Sequence, residues 1–213
     1  MIKKHSLIKE ACVQTCEEAM MAEERGADRI ELCKRLDLAG LTPKREIIEK
    51  TLLSVSIPIK VMIRSRKGNF VYDENELQAM EKEIDVCKSI GVNEVVIGVL
   101  NLKGKVDIES SRRLAVRAYP MAVTFHKAID HTTQIIEELH RLKSIPQICS
   151  FLTSGGKMTA IKGSKTIREI INIFGDQFNI IAAGSITEKN FNEIHSLIHS
   201  KEYHGKNIVG KLN

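Results

Sequence analysis

Short apolar runs alternate with longer stretches of helical period along this chain, and that alternation narrows its fold more than any other feature. The strand candidates are "IKEACV" (8–13), "RIELC" (29–33), "IKVMI" (59–63), "EVVIGV" (94–99), "AVTFH" (122–126), "ICSFL" (148–152), "FNIIAA" (178–183) and "EYH" (202–204). Near-continuous apolar strands separated by helices are the signature of β-α units around a parallel sheet. Eight such strands predict an α/β fold of the TIM (β/α)₈-barrel type, with all C-terminal strand ends on one face. A doubly wound open sheet is the competing architecture. It usually carries a Gly-rich fingerprint after its first strand, and "CVQTCEE" contains no glycine. Only "GKNIVGKLN" follows the eighth run, so the last helix is expected to be missing and that flank to be covered by the tail or by another subunit.

The intervening segments carry helix signals. Thr15 with Glu18 and Asp73 with Glu76 read as capping boxes, and Pro43 suits a first helical turn. Leu77, Met80, Ile84 and Cys87 recur on one helical face, which makes Cys87 part of a core stripe. Cys16 in a first turn and Cys149 within a strand also read as packing residues.

At 213 residues the chain is expected to form one domain, residues 1–213, since single barrels of this length are routine. With 43% hydrophobic and 28% charged residues it can bury a real core. Its 4% aromatic content, without Trp, leaves few platforms for stacking nucleic-acid bases, and the net charge of +5 is scattered, so no nucleic-acid partner is expected. No apolar segment is long enough for a signal peptide or a membrane span. Five cysteines without paired spacing suit a reducing compartment, and a cytoplasmic location follows as an expectation.

In a barrel, the strand ends and the loops after them line the site. Those positions collect Cys12, Cys33, Arg64 with Arg66, Gly98, His126, Ser154, Gly155 and Gly156 of "TSGG", Gly184 of "AGS", and His204. The glycine turns either redirect the chain or present N–H groups to an anion. His126 is a packed core histidine, a ligand or a general base. Arg64 and Arg66 alternate along an extended segment, so only one of them should face the mouth. Glu10 and Glu31 share strand faces with Cys12 and Cys33 and are expected beneath the thiols, as acids of the site or in an internal ion-pair layer. Adjacent first and second strands would bring Cys12 and Cys33 together, either as reduced packing thiols or as a pair matched to soft Cu(I).

The blocks "EACV" (10–13), "GADRIELC" (26–33), "GLTP" (40–43), "VMIRSRKGNFVY" (61–72), "GVL" (98–100), "VTFHKAID" (123–130), "LTSGG" (152–156), "AGSIT" (183–187) and "EYHG" (202–205) resemble, in order and spacing, the CutC family of copper homeostasis proteins. The resemblance runs over about residues 8–205. It implies a cytosolic TIM barrel, often a dimer, that handles Cu(I), and it places the family's proposed copper ligands at Cys12 and Cys33. The chain departs from the family pattern at Ser65 and Lys67, which replace a proline and a glycine, at Lys127, which replaces an arginine, and at Ala182-Ala183-Gly184-Ser185, where the pattern reads P-G-G-G and two glycine positions are lost.

Two functions are compatible with this set of residues. One is a Cu(I)-binding protein in which rim cations favour the thiolate form of Cys12 and Cys33, with Met62 or a histidine nearby. The other is an enzyme for a small anionic substrate, phosphorylated ones included, with Arg64, Arg66, Ser154, Gly155, Gly156, Gly184 and His204 binding it and His126, Glu10 and Glu31 as catalytic candidates.

Overall fold

The structure, a computed structural model, describes residues 7–212. Eight parallel strands close into a barrel in sequence order: β1 (Ile8–Val13), β2 (Arg29–Leu32), β3 (Ile59–Met62), β4 (Glu94–Ile97), β5 (Ala122–Phe125), β6 (Ile148–Thr153), β7 (Asn179–Ala182) and β8 (Glu202–Gly205). The connecting helices are α1 (Cys16–Glu24), α2 (Arg45–Ser54), α3 (Glu74–Ser89), α4 (Ile108–Ala118), α5 (Ile135–Leu142), α6 (Ala160–Phe174) and α7 (Phe191–Ile198). The predicted TIM barrel is therefore the observed fold. No helix follows β8 among the described residues, and Ile208, Val209 and Leu212 of the tail are themselves buried in the outer core. None of the described helices is long and apolar enough to cross a membrane.

Local signals act largely as the residue types dictate. Asp73 accepts from the Glu76 N–H while the Glu76 carboxylate accepts from the Asp73 N–H, a complete capping box. The Thr15 box is only half formed, because Glu18 reaches the N–H of Gln14 instead. Pro43 lies outside the helix it was expected to open, since α2 begins at Arg45 with Lys44 as its cap. Leu77, Met80, Ile84 and Cys87 are all buried on α3, as their spacing requires.

Two cores result. The larger one lies between strands and helices and carries most of the Ile, Leu, Val and Phe side chains. Inside the barrel the filling is different: an ionic layer lies low, and small clusters of Cys12, Cys33, Met62 and Val96, and of Leu152, Ile181 and Ala183, lie above it. That arrangement places ionisable groups directly under the mouth.

Candidate functional site

The site starts with Lys60, a lone lysine in the apolar run "IKVMI", which is 1% exposed. Its ammonium lies 2.9 Å from Glu94, 3.3 Å from Glu10 and 2.8 Å from the Thr124 hydroxyl, so it spans the barrel from β3 to β1, β4 and β5. Arg29 joins Glu10 to Glu202 from below. A buried charge is tolerable only when paired and hydrogen-bonded, and this layer meets both conditions. Burial works to raise the Glu10 pKa, but Lys60, His204 and Arg29 outweigh it and hold the carboxyl well below its usual range.

Glu10 in turn holds His204, whose Nδ1 lies 2.8 Å from its Oε1. The other ring nitrogen, Nε2, points at Glu31, 3.8 Å from Oε2. Burial opposes charge on this imidazole, yet Glu31 and Glu10 together raise its pKa above the ordinary value. Both ring nitrogens of His204, expected from the sequence to bind an anion, are thus turned toward carboxyl groups of the barrel itself.

The parallel register sets Cys12 opposite Glu31 on neighbouring strands, and the Cys12 thiol donates to Glu31 Oε2 at 3.2 Å. Glu31 thus lies level with Cys12, while it stays beneath Cys33, which follows it by two residues at the end of β2. The Cys12 and Cys33 sulfurs are 3.6 Å apart and both residues are buried. Strand adjacency brings the pair together as the spacing anticipated. Its electrostatics differ from expectation: the hydrogen bond to Cys33, then burial and Glu31, push the Cys12 thiol well above its ordinary pKa. Rim cations do not reverse this, because the charge nearest Cys12 is a carboxylate.

Above the thiols lies a cavity of about 250 Å³ lined by Cys12, Glu31, Met62, Arg64, His126 and His204 among others. His126 is 4% exposed; its Nδ1 accepts from the Ala128 N–H, and Nε2 has no hydrogen-bond partner. Burial first, then the neighbouring Arg64 cation, lowers its pKa to about 3, so the ring is neutral and Nε2 carries the proton. Gly98 makes room for that ring, since a Cβ there would stand 2.2 Å from His126 Cε1.

Arg64 and Arg66 part company as their alternation requires. Arg64 lines the cavity, with its terminal nitrogens on the carbonyls of Leu38, Ala39, Gly40 and Gly68 and its plane over Phe70; Nε is left without a partner. Arg66 turns outward to Glu76 and the carbonyls of its own loop, which removes it from the anion site proposed for it.

The "TSGG" turn is also committed elsewhere. Asp130, which sequence reasoning passed over, accepts from the N–H groups of Ser154 and Gly156 and from the Thr153 and Ser154 hydroxyls, and it pairs with Lys127 at 2.6 Å. Gly155 donates to the Thr153 hydroxyl, and Gly184 lets its loop meet the start of α6, where a Cβ would lie 2.9 Å from Ala160 N. An internal carboxylate therefore occupies the N–H groups of Ser154 and Gly156, and the Thr153 hydroxyl that of Gly155, so the turn serves the chain itself rather than presenting these groups to an external anion. The sequence signal for Asp130 was its position three residues after Lys127, just as the signal for Lys60 was a charge inside an apolar strand.

The chain has close relatives. A family model described as the CutC family matches residues 7–209. A copper homeostasis protein cutC homolog of Dictyostelium discoideum is 35% identical, over 92% of this chain and 80% of that protein. The human copper homeostasis protein cutC homolog is 34% identical over 94% of this chain and 73% of its own length. Among solved structures, a Streptococcus agalactiae protein assigned as copper homeostasis protein CutC superposes with a TM-score of 0.89 at 25% identity, covering 95% of this chain and 99% of that one.

Proposed function

Because the chain belongs to the CutC family, we propose that it takes part in copper homeostasis by holding Cu(I) between the thiols of Cys12 and Cys33. The observation that carries this reading is the 3.6 Å separation of two buried sulfurs at the mouth of the barrel. The donor set fits the ion: thiolate and thioether ligands select Cu(I), and Met62 belongs to the same small cluster as the two cysteines. Both thiols must lose their protons to bind, so uptake releases protons and weakens as pH falls. The cytoplasmic location and homodimeric assembly implied by the resemblance belong to the same proposal, and cell fractionation and sedimentation equilibrium check them.

An anaerobic Cu(I) competition titration tests the reading on the native protein and on Cys12→Ser/Cys33→Ser, with circular dichroism confirming that both are folded. Tight uptake of about one ion per chain, lost in the double variant, is expected. Affinity that survives in the double variant overturns it.

A second reading has its own support. His126 Nε2 and Arg64 Nε lack partners beside the cavity, and they are the donors a small anionic substrate would use. Saturable binding of a small carboxylate or phosphate that disappears in His126→Ala, with Cu(I) uptake unchanged, supports an enzyme of this kind; absence of any such binding removes it.

A further inference from the structure

Beside the thiol pair, and sharing only Cys12 with it, stands a second constellation of a different chemical kind. Cys12 Sγ, a Glu31 carboxylate oxygen and a His204 ring nitrogen all lie within 4.8 Å of one another. We propose that these three residues form a site for a borderline divalent cation of the Zn²⁺ class, with the fourth coordination position open to the cavity.

Four observations carry the inference. The first is geometry. Bonds of about 2.0–2.3 Å to a tetrahedral ion place the ligand atoms roughly 3.3–3.8 Å apart. The Cys12 sulfur is 3.2 Å and the His204 Nε2 is 3.8 Å from Glu31 Oε2, which matches two of the three edges, and the sulfur and a His204 ring nitrogen are within 4.8 Å of each other, an edge that side-chain rotation has to shorten. The second is orientation. A metal-binding histidine typically gives its other ring nitrogen to a carboxylate, and His204 Nδ1 is held in this way by Glu10, itself fixed by Lys60 and Arg29. Nε2 is thereby aimed at the space shared with Cys12 and Glu31.

The third is an unmet requirement. Glu31 is 2% exposed, and its Oε1 has no hydrogen-bond partner, although a buried carboxylate oxygen is costly to leave unsatisfied. The fourth is charge. One thiolate and one carboxylate neutralise a dication, which a buried site requires, and the mixed S, O and N donor set suits Zn²⁺ while excluding Mg²⁺ and Ca²⁺, which take oxygen. All three ligands line the cavity, so an ion there keeps a face toward a bound water or small molecule, the pattern of a working rather than a purely structural zinc centre.

The test uses the intact protein with Zn²⁺ and with Co²⁺ as a spectroscopic stand-in. About one ion per chain is expected, with the Co²⁺ form showing tetrahedral visible bands and a single-thiolate charge-transfer band. Glu31→Gln and His204→Gln should each weaken Zn²⁺ at least tenfold; both keep the Cys12–Cys33 sulfur pair and so still take up Cu(I), with uptake in Glu31→Gln reaching to lower pH because the carboxylate beside the Cys12 thiol is gone. Cys33→Ser should do the opposite, so the two metal readings fail independently. X-ray absorption of the Zn²⁺-loaded native protein serves where a variant does not fold: one sulfur with nitrogen and oxygen neighbours is expected. Two sulfur ligands, no uptake of Zn²⁺, or uptake indifferent to both Glu31→Gln and His204→Gln overturns the proposal.

Discussion

His126 and Gly98 form a pair whose roles are inseparable. The imidazole occupies the volume that any side chain at 98 would need, so Gly98→Ala forces the ring or its strand to move. Overpacking of this kind costs about 1–3 kcal/mol, and denaturant unfolding of Gly98→Ala should show a loss in that range. The titration of His126 is the second consequence. Its folded pKa, about 3, lies below the ordinary value of 6.5, so its contribution is present above pH 6.5 and is lost as pH falls toward the folded value. The His126→Gln variant should therefore lose less stability than the native protein between pH 6.5 and 4, and the native imidazole should keep neutral NMR shifts through that interval. A ring that titrates near 6.5 contradicts the burial argument.

At the scale of the strands, the ionic layer joins six of the eight. Lys60 on β3 meets Glu10 on β1, Glu94 on β4 and Thr124 on β5, while Arg29 on β2 ties Glu10 to Glu202 on β8 and so links the first and last strands of the barrel. Removing one partner of such a buried cluster leaves an uncompensated charge, so Lys60→Ala should destabilise by about 3–5 kcal/mol in equilibrium unfolding. Lys60→Met, which fills the space without charge, should cost a similar amount, because Glu10 remains ionised and loses its ammonium; equal stability to the native protein would show that Glu10 takes up a proton instead. The same layer fixes His204 through Glu10, which is how a feature of the barrel floor reaches the candidate metal site above it.

For the molecule as a whole, the flank of the barrel after β8, where no helix follows among the described residues, is covered by the tail. Ile208, Val209 and Leu212 are at most 5% exposed and pack into the outer core. Burying an aliphatic side chain is worth about 1.5–3 kcal/mol, and Ile208→Ala adds the cost of a cavity, so its thermal midpoint should fall by several degrees with a loss of about 2–5 kcal/mol. An unchanged midpoint would show that the tail is not part of the cooperative unit. The ionic layer lies beneath the mouth and meets it at the Glu10–His204 contact, so the groups that hold the strands together also orient the side chains of the cavity.

Strand number, strand position and the choice of a barrel were legible in the chain because apolar periodicity and turn chemistry are local properties, written within a few residues of where they act. The adjacency of Cys12 and Cys33 was legible for the same reason, once consecutive strands are taken as neighbours. What only the tertiary structure decided is where each polar group's partner lies. Register stagger put Glu31 level with Cys12, closure of the barrel brought His204 back to Glu10 across 194 residues, and Asp130 reached the "TSGG" amides before any external anion could. Burial, pKa and free donors depend on contacts distant in sequence, and those contacts exist only after the sheet has closed on itself.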